Sequence, residues 1–301
     1  MPLFFFISGY FAYSTGLHFH NRQKIIDSLR RRIKGVLIPT IIFCSLSCLL
    51  LTPLGQTNIT DVLYDSHKGG YWFTLVSCEI FFLCIPLILI INVKSLKQST
   101  KNIILIGVMI ISAWLRNYIA DYWENENAVN IISLQFTFQY MPYFILGILT
   151  RINLSLLLRY LNRIIIIVFF ISMFAVGAHY APYMKYAYND SRLLPFISLF
   201  LISIFLLFSR LQSVFNTSNR FGKPLSYIGR NTLPIYLIHY FIVFLLTSDI
   251  IQSIYSWKTV SLETVFPLTA ICAVVVACLS LGINEILRLC KIRHFFFPKY
   301  K

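Results

Sequence analysis

Residues 71–92 read YWFTLVSCEIFFLCIPLILIIN, and this stretch decides the fold. A helix of this length is about 33 Å long, enough to cross the ~30 Å hydrocarbon core of a bilayer. Its one charged side chain is Glu79. A helix that is apolar on all sides has no polar face to turn toward water, so its natural surroundings are lipid or the inside of a helix bundle.

The same signature recurs on both sides. Apolar runs suited to spanning helices cover 1–17, 36–53, 71–92, 102–119, 131–149, 163–184, 193–209, 232–248 and 264–287. Of the 301 residues, 57% are hydrophobic and 12% charged, with a mean hydropathy of +0.72. A soluble domain carries about 25% charged residues. The expectation is an all-α, polytopic transmembrane helix bundle. Connections are short, and no low-complexity tract or shift of composition divides the chain, so residues 1–301 read as one domain.

The formal charge of +15 would suggest nucleic acid in a soluble protein. Here the cations alternate with the spans. Basic residues crowd 18–35 (with Arg30, Arg31, Arg32 and Lys34), 94–101, 151–163, 210–230 and 288–301, which together hold 21 of the 26 lysines and arginines. The opposite connectors collect Asp61, Asp65, Asp121, Glu124, Glu126, Asp190, Asp249 and Glu263. Lysine and arginine resist translocation, so the basic side is expected in the cytoplasm, together with the C-terminus. No nucleic-acid partner is needed to explain the charge. Nine crossings then put Met1 outside, and a preceding helix running outward is expected upstream of it.

Seven cysteines are present, six of them inside apolar runs, and no CxxC spacing occurs. They read as free thiols acting as small hydrophobes, with no metal site.

Polar residues inside the spans mark what the bundle must accommodate. Glu79 costs ~3 kcal/mol or more unless it faces the bundle interior or water. It shares a helical face with Trp72 and Pro86, at spacings of seven. It reads either as a buried structural carboxyl or as a functional one. Thr232, Tyr236, His239, Tyr240, Val243 and Thr247 form one stripe that must point into the bundle, because lipid offers it no partners. His239 in that stripe is either a packing histidine or a reactive one. Ser8, Ala12 and Gly16 form a small-residue ridge suited to close helix packing. Arg116 is expected to snorkel, and His179 to lie at an interface. The cluster Arg30, Arg31, Arg32 and Lys34 is either a topological anchor or a phosphate site, since guanidinium groups bond phosphate bidentately.

Several stretches together resemble one family. Residues 1–11 (MPLFFFISGYF) resemble the second-helix signature of the acyltransferase 3 family, membrane O-acyltransferases that modify bacterial glycans. The run Arg32 to Pro39 resembles its basic lead-in to the next helix, and 70–75 (GYWFTL) with Glu79 resembles its Trp-Phe-Leu segment followed by a Glu. Tyr143 to Leu149 resembles its Phe-x-x-Gly helix end, and 227–239 (YIGRNTLPIYLIH) its late-helix signature. The matches keep the family's order from residue 1 to about 240.

The resemblance implies ten helices, of which this chain shows nine. The family's first helix carries a His regarded as catalytic, expected here upstream of Met1, so that the chain as given is either an active enzyme completed by that helix or an inactive truncated homologue. The family also shows an Arg-x-x-Arg pair before the third helix. Arg32 matches the first position; Gly35 stands at the second, with Lys34 beside it.

The implied reaction moves an acyl group, commonly acetyl, from acyl-CoA (acetyl-CoA) to a hydroxyl of a cell-surface or lipid-linked glycan at the bacterial inner membrane. No bound cofactor or metal is implied. Glu79 and His239 are then the catalytic candidates. Arg31, Arg32 and Lys34 would bind the acyl donor, and Ser8, Trp72, Phe73 and Tyr236 would line the substrate pocket. A glycan or lipid-linked sugar transporter is the competing class. It should show inverted repeats and Gly/Pro-broken helices in matching halves, and the sequence shows neither.

Overall fold

The computed structural model describes residues 1–14, 22–51, 59–93, 95–123, 126–160, 164, 167–169, 171–173, 175, 194–211, 220, 222–246 and 262–297. Among the described residues, every regular element is a helix. In chain order they are α1 (Pro2–Ser14), α2 (Arg22–Arg32), α3 (Ile38–Leu51), α4 (Ile59–Tyr64), α5 (Trp72–Ile91), α6 (Gln98–Tyr122) and α7 (Asn127–Ile131). There follow α8 (Leu134–Ile152), α9 (Leu154–Tyr160), α10 (Leu194–Arg210), α11 (Gly222–Arg230), α12 (Thr232–Leu246), α13 (Leu262–Leu289) and α14 (Arg293–Phe296).

Eight of the nine expected spans coincide with helices. The ninth, 163–184, lies mostly outside the described residues, as do Gly16, His179 and Thr247. Among the described residues, four helical stretches are long and apolar enough to cross a bilayer: Ile25–Leu50, Trp72–Ile91, Gln98–Tyr122 and Ala270–Leu289. Pro2–Tyr13, Leu194–Ser209 and Thr232–Val243 are shorter apolar helices. The chain is a multi-pass, all-α membrane protein.

The basic connector 18–35 is helical from Arg22 onward rather than a loop, because Arg, Gln, Lys and Leu are all good helix formers. It joins α3 through a π-turn at Ile33–Leu37, where the Ile38 N–H donates to the Ile33 carbonyl five residues back. Pro39 has no N–H to donate, so the ladder must change register close to it. The Thr40 hydroxyl donates to the Val36 carbonyl at 2.8 Å within the same turn.

The chain forms two compact units, Met1–Leu29 with Leu75–Asn216, and Arg30–Thr74 with Thr217–Lys301. In the first, α1 crosses α8 with almost no space between backbones. A Cβ on Gly9 would lie 1.9 Å from the Phe144 carbonyl oxygen, and one on Gly147 would lie 2.0 Å from the Phe6 carbonyl oxygen. The close approach falls on Gly9, one position from the expected Ser8–Ala12 ridge. Phe5 stacks on Tyr140 with centroids 4.8 Å apart, and Tyr10 packs on Phe205 of α10 at 4.5 Å. At the basic end of α8, Arg151 donates to the Tyr10 hydroxyl at 2.8 Å. Asn102 and Asn153 exchange amide hydrogen bonds at 3.2 and 3.0 Å.

In the second unit the core gathers Phe43, Tyr71, Leu237, Ile238 and Ile242. The buried Tyr71 donates its hydroxyl to the Leu237 carbonyl at 3.3 Å, which ties the start of α5 to the middle of α12.

Candidate active site

Seven of the nine expected site residues belong to the second unit: Arg31, Arg32, Lys34, Trp72, Phe73, Tyr236 and His239. Glu79 and Ser8 belong to the first.

His239 belongs to the second unit. It lies on α12, half-buried, between Tyr236 and Tyr240. Its ring centroid is 5.4 Å from that of Tyr236 and 4.0 Å from that of Tyr240. Its Nδ1 is 2.5 Å from the Tyr236 carbonyl oxygen. A carbonyl only accepts, so the contact is a hydrogen bond when Nδ1 carries the proton. In the neutral ring that leaves the lone pair on Nε2, the arrangement a proton acceptor requires.

The two tyrosines beside this histidine meet a turn that hydropathy alone does not mark. Lys68, Gly69 and Gly70 are successive left-handed residues, with φ of 50°, 57° and 100°. Lysine adopts that conformation only against a steric penalty, and here its side chain holds the turn together. The buried Lys68 donates its Nζ to the carbonyls of Leu63 (2.7 Å) and Asp65 (2.8 Å). The Asp65 carboxylate accepts from the N–H groups of His67 (2.9 Å) and Gly69 (3.2 Å).

This turn delivers Gly70 to α12. The Tyr236 hydroxyl donates to the Gly70 carbonyl at 2.7 Å. A Cβ on Gly70 would lie 2.1 Å from Tyr240 Cε1, so the ring occupies the space a side chain would need. Tyr71 meets Tyr240 at 5.0 Å, and Phe73 meets Tyr236 at 5.2 Å. Trp72, half-buried, sets its indole edge-on to Phe73 at 6.2 Å. The expected pocket residues Trp72, Phe73 and Tyr236 therefore lie within one aromatic cluster with His239. The contributors that sequence reasoning missed are Gly70, Tyr71 and Lys68. Their signal was the Gly-Gly pair ahead of an aromatic run, which marks a turn.

Arg31 and Arg32 close α2, and Lys34 lies in the π-turn. Arg31 and Lys34 are exposed and Arg32 is half-buried, so the cluster presents cations to solvent at the foot of α3. π-turns recur at functional sites because they re-aim the side chains around them.

In the first unit, Glu79 is half-buried on α5, and its carboxylate accepts the hydroxyl of the buried Thr137. That bond answers part of the burial penalty of an intramembrane carboxyl. Ser8 is half-buried on α1. Among the described residues no cluster of His, Cys, Asp and Glu could hold a metal ion.

A profile of the family described as an acyltransferase domain matches residues 1–283. No curated protein and no solved structure is significantly similar to the chain.

Proposed function

The chain belongs to the acyltransferase 3 family of membrane acyltransferases, and on that premise we propose that it moves an acyl group, acetyl in the simplest case, from acyl-CoA to a hydroxyl of a cell-surface or lipid-linked glycan. The observation that supports this reading is the approach of His239 Nδ1 to the Tyr236 carbonyl, which in the neutral ring protonated at Nδ1 leaves Nε2 as a proton acceptor inside an aromatic cluster.

The acceptor hydroxyl gives its proton to His239 Nε2 while its oxygen attacks the thioester carbonyl carbon. The carbon–sulfur bond then breaks, and the CoA thiolate leaves and takes the proton back from the imidazolium. Positioned proton transfer of this kind contributes roughly 10²–10⁴-fold. Arg31, Arg32 and Lys34 supply charge-assisted hydrogen bonds to the phosphates of the donor. On this reading the basic side and the C-terminus face the cytoplasm, where acyl-CoA is present, in a bacterial inner membrane. In the first unit, taken by itself, Glu79 accepts the hydroxyl of Thr137 and is the second catalytic candidate.

The test uses the full chain in proteoliposomes, with labelled acetyl-CoA and lipid-linked glycans of its host. His239→Asn keeps a donor near the Tyr236 carbonyl and removes the ε nitrogen. It is expected to lower kcat by about 10²–10⁴-fold. An unchanged rate in this variant would remove His239 from the chemistry, and no transfer by the parent chain would favour an inactive homologue over the enzyme.

A further inference from the structure

After α13 the chain turns back on itself. Lys291 takes a left-handed φ of 59°, and the Ile292 N–H donates to the Leu287 carbonyl at 3.1 Å, the six-to-one bond of a helix that ends by reversal. Glycine is the usual residue at such a position, and a lysine there must be held by the contacts of the adjoining segment. That segment is α14 and the residue after it, and the rings of Phe296 and Phe297 each lie 5.6 Å from the ring of Phe43 on α3. Phe43 also meets Phe241 of α12 at 5.9 Å. From the same short helix, Arg293 Nη2 donates to Asn231 Oδ1 at 3.2 Å, an oxygen that also accepts from Asn284 Nδ2 of α13 at 3.2 Å. Asn231 in turn donates to the Tyr227 carbonyl at 2.9 Å, across the junction between α11 and α12.

We propose that residues 291–297 are a strap that sets α3 against α12, and that Arg293, Phe296 and Phe297 are thereby positioning residues for the acyl donor. The strap touches the two helices that matter. α3 continues from the π-turn and the cationic cluster, and α12 carries His239. It lies beyond residues 1–283, which the family profile matches. The polar hub is incompletely satisfied: Asn284 Oδ1 and Arg293 Nε are buried with no hydrogen-bond partner. The aromatic contacts on Phe43 are therefore the firmer part of the attachment. The proposal rests on the donor reading of Arg31, Arg32 and Lys34.

The experiment compares the full chain with the double variant Phe296→Ala/Phe297→Ala and with Phe296→Leu/Phe297→Leu, in proteoliposomes. Two readouts are taken, steady-state acetyl transfer and amide hydrogen exchange over residues 38–51. The strap predicts that the alanine pair raises KM for acyl-CoA about tenfold, because small displacements far from the chemistry are amplified at a positioned group. It leaves kcat and the acceptor KM within about twofold. Exchange in 38–51 quickens, and the leucine pair restores most of both. Unchanged donor KM with unchanged exchange overturns the proposal. So does a parallel loss of kcat, both KM values and melting temperature, which would mark a merely structural role. If the parent chain transfers nothing, the functional reading fails by itself. The exchange arm then still decides the strap, which is overturned if 38–51 exchanges no faster.

Discussion

Replacing Gly9 or Gly147 with alanine pits two opposed effects against each other at the α1–α8 crossing. Alanine is the better helix former by about 1 kcal/mol, so local propensity favours the change. The crossing opposes it. The new Cβ would lie 1.9 Å from the Phe144 carbonyl oxygen and 2.7 Å from its carbon in one case, and 2.0 Å from the Phe6 oxygen and 2.7 Å from the Tyr10 nitrogen in the other. All four atoms are backbone, so no side chain can swing aside, and the helices must part by about 1 Å. A gap of 0.5–1 Å forfeits a quarter to a half of each dispersion contact along the seam. Overpacking costs about 1–3 kcal/mol and occasionally more, and at this depth of overlap the upper end applies. Each single variant should therefore lose about 2 kcal/mol net. The double variant should lose about 3 rather than about 4, since the first separation makes room for the second methyl. Reversible denaturation of the detergent-solubilised protein measures this. Gly107→Ala and Gly282→Ala are the controls, because nothing lies within 4 Å of a Cβ at either position. They should be neutral or slightly stabilising. The reasoning is refuted if Gly9→Ala and Gly147→Ala unfold with the controls, or if their losses add in full.

Asn231→Ala removes the shared acceptor of Asn284 and Arg293 and should cost about 3 kcal/mol, with Asn231→Asp recovering most of it; equal melting of the alanine variant and the parent would contradict this. Gly70→Ala adds a methyl where φ is 100° and the Tyr240 ring already sits, so it should displace the ring beside His239 and lower acetyl transfer at least about tenfold. Full activity in that variant would detach the Gly70 turn from the site. Tyr227 donates to Glu285 at 2.5 Å, and this bond to a carboxylate holds its phenol above the ordinary value of 10.0. The protonated phenol is thus favoured in the folded chain, so this contribution is complete below pH 10 and fades as pH rises through the raised pKa. It is small, since the pair is exposed. Alkaline unfolding curves of the parent and Tyr227→Phe should differ only below the raised pKa and converge above it; identical curves at neutral pH would show that the bond contributes nothing.

The spans were legible because the transfer of apolar side chains into lipid is nearly local and additive. The run 71–92 became Trp72–Ile91 almost residue for residue. The polar stripe on 232–247 likewise pointed to Tyr236 and His239, since lipid cannot satisfy polar side chains wherever the helix goes. Charge made the connectors visible but hid their conformation: 22–32 reads as a basic loop and folds as a helix. Gly9, beside the expected Ser8–Ala12 ridge, makes the close backbone approach, because that choice belongs to the partner helix.

By itself, then, the sequence determined that this chain crosses a membrane repeatedly as helices, which of its polar residues need shelter, and which family's order of motifs it follows. Each of these depends on segments of about twenty residues or on patterns along the chain. Tertiary structure alone decided that Gly70 meets Tyr236 and Tyr71 meets Leu237 across 166 residues, that Gly9 and Gly147 let α1 and α8 touch, and that Arg293 returns to Asn231. Within a bilayer every apolar face is equally content with lipid, so hydrophobicity cannot choose partners. Close backbone approach and hydrogen bonding do, and they exist only once the helices have met.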